Sequence, residues 1–286
     1  MSEALPIVFK CGGAPLIGIY HRGAVDARVG VVIIVGGPQY RVGSHRQFVL
    51  MARDLSSQGI PVFRFDYRGM GDSDSAARSF DAIDEDIRAA IDCFCAATKG
   101  LDKIVLLGLC DAASANLMYA AQDDRIRGLV LMNPWVRTPH GEAKAYLKHY
   151  YFQRFLQKSF WRKVVTGNFE FTHSIRQFLT SLQVSRSPGK VSGRNAGDQS
   201  VGFLDRMLQG FQEFQRPILV IISGRDLTAQ EFVDLCKENN NWGHCLRRPE
   251  VTIRHLPDAD HTMSSREQLN SATAVTAGWI AEVFEG

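Results

Sequence analysis

The sequence predicts an α/β fold: a mostly parallel eight-stranded sheet flanked by helices, with a helical insertion between two core segments. Three observations carry that reading. Short apolar runs rich in Val and Ile alternate with segments of helical periodicity. The Val29–Val35 run is apolar or glycine at every position, as a strand covered on both faces is. A third run, Ile104–Leu107, passes through Gly108-Leu109-Cys110-Asp111-Ala112 into a helix-forming stretch, Ala112–Ala120. Strand, tight turn and helix in succession, repeated along the chain, imply right-handed crossovers.

The elements follow in order. Ile7–Lys10 and Leu16–Tyr20 flank Cys11-Gly12-Gly13-Ala14-Pro15, a glycine- and proline-marked hairpin turn. Val29–Val35 is a central strand ending at Gly36-Gly37-Pro38. Residues 45–58 place Phe48, Leu50, Met51 and Leu55 at helical spacing. Ile60–Phe65 is a strand, followed by the turn Asp66-Tyr67-Arg68-Gly69-Met70-Gly71-Asp72-Ser73. A helix over 81–98 opens with Asp81, Asp84, Glu85 and Asp86, where the helix dipole favours acids. Gly128–Trp135 is the strand after the Cys110 helix.

The pattern then changes. From 138 to 212 no strong strand appears, and Tyr146, His149, Tyr150, Phe152, Phe155 and Trp161 mark a mostly helical cap. Its segment 185–198 is polar and rich in Gly and Ser, which predicts mobility. The alternation resumes at Pro217–Ile222, leading to Ser223-Gly224-Arg225-Asp226. A helix over 229–239, a last strand Val251–Leu256, a loop at 258–261 and a helix over 267–284 complete the chain. The division is a core segment 1–137, a cap 138–212 and a second core segment 213–286. No internal repeat is present.

Composition narrows the function. At 286 residues the chain is long enough for one large domain with an insertion. A net charge of only +3, with no block of five like charges, gives no basis for a nucleic-acid or membrane-surface partner. The first residues lack the basic and apolar regions of a signal peptide, and no run approaches ~18 apolar residues, so a cytoplasmic protein without a membrane span is expected. The six cysteines form no C-x-x-C pair, so neither a metal site nor a disulfide framework is expected. Cys93 and Cys95 read as partly buried apolar residues of a helix.

The residues that could carry chemistry stand at strand ends. Cys110 sits at the strand-to-helix turn, where small neighbours, Gly108 and Ala112, permit a sharp bend that lifts the side chain above the sheet. Asp226 follows the Pro217 strand, and His261 follows the last strand. Asp258 and Asp260 are too close in sequence to His261 to reach its far nitrogen, and read as loop-solvating or helix-capping acids. No carboxylate follows the Trp135 strand until Glu142, which favours Asp226 as the acid.

Nucleophile, acid and histidine in this chain order resemble the triad of the α/β-hydrolase superfamily, with Cys and Ala standing in a G-x-S-x-G elbow. The Asp66–Ser73 turn resembles that superfamily's D-x-R-G-x-G-x-S segment. More narrowly, Val35–Phe48 together with Gly108–Ala112 resembles the exosortase A system-associated hydrolases, close to their type 1 group. Those occur in gram-negative bacteria beside exopolysaccharide and protein-sorting genes. The resemblance implies a cytoplasmic, serine-aminopeptidase-like hydrolase; a triad of this kind is expected to need no metal or organic cofactor. It implies no particular substrate.

Chemistry assigns the roles. Cys110 as thiolate would attack an acyl carbon, His261 would carry the proton to the leaving group, and Asp226 would orient the imidazole. The oxyanion needs two N–H donors. Asp111, next after the nucleophile, supplies one; Pro38 has no N–H, so Gly37 is expected to supply the other. The Asp111 carboxylate beside the thiol would raise the thiol pKa unless turned away or paired, while the helix N-terminus pulls the opposite way. His45 and Arg46 either bind substrate or belong to an exposed helix start. The substrate class is a small-molecule or acyl-carrying ester or thioester. Two alternatives stay open: transfer of the acyl group from the same thioester to another acceptor, and a non-catalytic binding module on a hydrolase scaffold.

Overall fold

The computed structural model describes residues 4–37, 39–136 and 197–284. The chain divides into two compact units, Met1–Val136 with Gly202–Gly286, and Arg137–Val201. The strands are β1 Ala4–Cys11, β2 Ala14–His21, β3 Val29–Ile34, β4 Val62–Phe65, β5 Lys103–Leu109, β6 Ile126–Met132, β7 Ile218–Arg225 and β8 Val251–Asp260. The helices are α1 Gln47–Ser57, α2 Asp84–Ala97, α3 Asp111–Tyr119, α4 Gly197–Glu213, α5 Leu227–Glu238, α6 Asn240–Leu246 and α7 Arg266–Phe284.

One eight-stranded sheet runs β1-β2-β4-β3-β5-β6-β7-β8. The β1/β2 hairpin and the β2/β4 pair are antiparallel, and every later pair is parallel. β3, β4 and β5 are buried at nearly every position, as their unbroken apolar runs require. The two-residue strand period divides these side chains between two layers. Val32, Ile34, Ile104 and Leu106 join the cluster that includes Ile87, Phe94 and Leu117 of α2 and α3. Val31, Ile33, Val105 and Leu107 join Met51, Leu55 and Trp279 of α1 and α7. Each face of the sheet is therefore sealed by its own helices, and the strand ends are left for loops.

Four boundaries differ from the sequence reading. β6 begins at Ile126 and ends at Met132, because Pro134 has no N–H to extend the ladder. β8 continues through the expected loop to Asp260, which pairs with Arg225 across an irregularity after Ser223. α6 was not expected; the run of asparagines reads as a loop, yet Asn239 caps it by accepting from the N–H groups of Asn241 and Trp242 at 3.0 and 3.4 Å. The cap was drawn to residue 212, but residues 202–212 fall within the first unit. There Phe203, Met207 and Phe211, at a helical spacing of four, are buried in the main core. Gly210 permits close approach of α4 to α3, since a Cβ would collide with the Leu117 carbonyl. The cap residues 138–196, including most of the expected mobile segment 185–198, lie outside the described residues.

Candidate active site

The turn at Cys110 is built as its sequence suggests. β5 is parallel to both β3 and β6, so its C-terminal end opens at the middle of the sheet. Cys110 then takes φ 61° and ψ −126°, a conformation that costs a non-glycine residue on the order of 1–3 kcal/mol. The surroundings hold it there. The Cys110 N–H donates to the Met132 carbonyl at 2.9 Å, and its carbonyl accepts from Ala113 and Trp135 N–H at 3.0 and 3.2 Å. A Cβ on Gly108 would lie 2.6 Å from the Ala112 backbone, so the bend needs glycine there. The thiol stands half-buried at the top of the sheet.

Asp226 follows β7 and has two duties. Its Oδ1 accepts from the Thr228 N–H at 3.0 Å, capping α5, and its Oδ2 lies 2.7 Å from His261 Nδ1. The Asp226 side chain is only 5% exposed, against 36% for His261, so the charge that orients the ring is sheltered from solvent. His261 follows β8 in a turn held by Asp260, whose carboxylate accepts from Thr262 and Ser264 N–H at 3.1 Å each. Asp258 pairs instead with Arg225 at 3.0 Å. Neither of these neighbouring acids competes for the imidazole.

The imidazole touches both predicted partners. Asp226, which accepts from the ring, and then Cys110 favour its protonated form and push its pKa up to about 10, against the opposing effect of burial. Cys110, His261 and Asp226, from three separate strand ends, thus meet at one point. The arrangement can hold a proton on the ring between a carboxylate and a thiol.

The expected oxyanion donors behave differently. Gly37, at φ +62°, follows β3, but its N–H donates to the Asp111 carboxylate at 2.8 Å. The other Asp111 oxygen accepts from the Ala112 N–H at 3.0 Å. Burial raises the pKa of this carboxyl; the N–H groups of Gly37, Ala112 and Asp111 itself, and the nearby His261, oppose that rise. The structure therefore brings Gly37 and Asp111 together beside the thiol, with the Gly37 donor already engaged. His45 and Arg46 lie in a short 3₁₀ turn, both exposed and both left-handed, at φ 53° and 62°.

One residue of the site escaped the sequence reading. Asn133, fully buried at φ 45°, sits at the end of β6. Its Nδ2 donates to Ser223 Oγ at 2.9 Å and to the His261 carbonyl at 3.3 Å, while its Oδ1 accepts from Ser223 N–H at 2.8 Å. It ties the histidine turn to β7. The available sign was a polar Asn-Pro directly after a wholly apolar strand. The Asp66 turn is structural: Asp66 accepts from the N–H groups of Arg41 and Asp72 at 2.6 and 3.0 Å, and Arg68 pairs with buried Asp86 at 2.9 Å. The Arg41 bond ties the chain between β3 and α1 to this turn, and the Arg68–Asp86 pair ties the turn to α2. Among the described residues no group of three His, Cys, Asp or Glu is placed to hold a metal ion, and no helix is long and apolar enough to cross a membrane.

This sheet order, with a strained strand-to-helix turn after the fifth strand and an aspartate and a histidine after the last two, defines a class. The chain belongs to the alpha/beta hydrolase fold family, whose pattern matches residues 30–262. Among solved structures it is similar to the esterase Pf2001 of Pyrococcus furiosus, with TM-score 0.63 and 14% identity, covering 99% of this chain and 93% of that one. It is similar to Est1E of Butyrivibrio proteoclasticus, a structure with ferulic acid bound, with TM-score 0.62 and 16% identity over 98% and 100% of the two chains. The α/β hydrolase GrgF of a Penicillium species matches with TM-score 0.64 and 14% identity over 99% and 100%. At these identities the likeness establishes the fold. No curated protein matches the sequence.

Proposed function

We propose that this protein hydrolyses an ester, thioester or related acyl bond, with Cys110 as nucleophile, His261 as acid–base and Asp226 as the group that orients it. The observation that carries the reading is the imidazole held at 2.7 Å by the buried Asp226 carboxylate, with a proton on the ring favoured by Asp226 and by the neighbouring Cys110. In the first step the thiolate adds to the acyl carbon, and the leaving alcohol or thiol departs with the proton from His261. In the second step His261 takes a proton from water, whose oxygen attacks the thioester; the products are a carboxylic acid and the free thiol. Esterases with the same fold are consistent with that substrate class. The motif resemblance to exosortase-associated hydrolases supports a cytoplasmic role in bacterial exopolysaccharide or sorting metabolism.

Intact-protein mass spectrometry tests this, after brief iodoacetamide or p-nitrophenyl ester treatment of the wild type, Cys110→Ala and His261→Ala. Cys110 should label faster than the other five cysteines, and labelling should slow in His261→Ala. Ester turnover should fall by about 10⁴-fold in either variant. Labelling at Cys110 no faster than elsewhere, with no turnover, would leave the second reading, a binding module on a hydrolase scaffold. The observation that favours this second reading is the engaged Gly37 N–H.

A further inference from the structure

The Asp111 carboxylate is an anion of the protein's own, seated where a reaction anion should go. A tetrahedral acyl intermediate places negative charge on the former carbonyl oxygen, and N–H groups aimed at that oxygen stabilise it. The residue after the nucleophile and the turn after β3 are the two places where this fold supplies such groups. Here Gly37 N–H, the donor from the β3 turn, points at Asp111 Oδ2 at 2.8 Å. The Ala112 N–H, at the start of α3, is taken by Oδ1 at 3.0 Å. Gly36 completes the seat, because a Cβ there would collide with the same carboxylate oxygen. Backbone donors, helix start and a missing side chain all accommodate one carboxylate.

A substrate carbonyl faces two obstacles at this seat. The Gly37 donor is occupied, and the occupant has the same sign of charge that the intermediate develops. An ordinary acyl ester thus lacks an oxyanion donor while Asp111 stays in place.

Resting on the Cys110 reading above, we infer that Asp111 is a plug of the oxyanion site, and that it determines which acyl substrates the enzyme can process. Acyl groups react only in molecules whose Asp111 has left Gly37, so a productive substrate is one whose binding displaces the carboxylate. Simple esters, which offer nothing to draw it away, are poor substrates of the wild-type protein.

The test compares the full-length wild type with Asp111→Ala and Asp111→Asn, using p-nitrophenyl acetate as the probe and iodoacetamide labelling of Cys110 as a measure of the thiol alone. Alkylation forms no oxyanion, so it reports the nucleophile without the plug. Losing or gaining one oxyanion donor typically changes the rate by ~10²–10³-fold. Asp111→Ala should raise kcat/KM for the ester by about 10²-fold, mainly through kcat, and by much more than it raises the alkylation rate. Asp111→Asn retains an oxygen that can accept from Gly37 N–H and should gain less; it also carries the test if the alanine variant is unstable. A kcat/KM in both variants equal to or below wild type, with rapid Cys110 alkylation retained, would overturn the plug and leave the nucleophile standing. That is the result expected if Asp111 merely braces the Gly37 turn, and a fall in melting temperature would accompany it. Cys110 alkylation no faster than at the other cysteines would overturn plug and nucleophile together.

Discussion

The two halves of the site are prepared to different degrees. On the side of β7 and β8, Asp226 and His261 stand 2.7 Å apart, and the other Asp226 oxygen accepts from the Thr228 N–H. On the side of β3 and β5, the Cys110 turn is strained into place, but the Gly37 N–H is spent on an internal carboxylate. Both halves rest on parallel strands of one sheet, so the difference is not one of scaffold. It lies in a single side chain, Asp111. Proton transfer machinery can be complete while charge stabilisation is withheld, and the two can be measured separately.

The largest effects should come from the prepared half. Asp226→Asn keeps an oxygen for the Thr228 N–H but loses the charge that holds the imidazole in its working state. Ester turnover should fall by about 10⁴-fold while the cap of α5 is kept. Asp226→Ala should lose the same activity and, in addition, about 0.5–2 kcal/mol of stability, because α5 loses its cap. Urea titrations of the two variants separate the duties. If asparagine destabilises as much as alanine, the carboxylate is chiefly structural and the contrast between the halves fails.

Next in size is Asn133→Ala. The buried amide satisfies Ser223 and reaches the His261 carbonyl, so its removal leaves buried polar groups unpaired, at about 1–3 kcal/mol. Because these bonds lie on the β7 and His261 side of the site, Cys110 alkylation should become less dependent on His261 while the Gly37–Asp111 contact is untouched. Alkylation kinetics in the Asn133→Ala and Asn133→Ala/His261→Ala proteins measure that dependence. An undiminished histidine effect would show that Asn133 does not position His261.

Much of this was legible in the sequence, for identifiable reasons. β3 and β5 announce themselves because strands buried on both faces must be apolar throughout, and the glycine and alanine around Cys110 are demanded by its backbone. That Asp226 and His261 meet could be expected because both follow strands at the same edge of the sheet. What escaped were relations between distant residues. That Gly37 N–H would meet Asp111, 74 positions away, depends on a side-chain rotamer, which no local pattern encodes. Asn133 joins three strand ends, and nothing near it in sequence names its partners. α6 was missed because its cap and its first residues are all asparagine, which reads equally well as a turn.

The smallest effect should appear in the pH dependence of stability, where two histidines oppose each other. His261 has its pKa raised from 6.5 to about 10 by Asp226 and Cys110. Its contribution is fully present below about pH 6.5 and is lost as pH rises through 10. His21, fully buried at the end of β2, has its pKa lowered to about 4 by burial and by Arg64, whose Nε donates to His21 Nε2 at 3.0 Å. Its contribution is present above pH 6.5 and is lost as pH falls through 4. The wild type should therefore weaken at both ends of the range for different reasons. Urea titrations from pH 4 to 10 should show that Asp226→Asn flattens the alkaline decline and leaves the acid one intact, because only the His261 proton depends on Asp226. Equal alkaline declines in wild type and variant would mean that the active-site imidazole carries no extra proton, and that the histidine half is no better prepared than the oxyanion half.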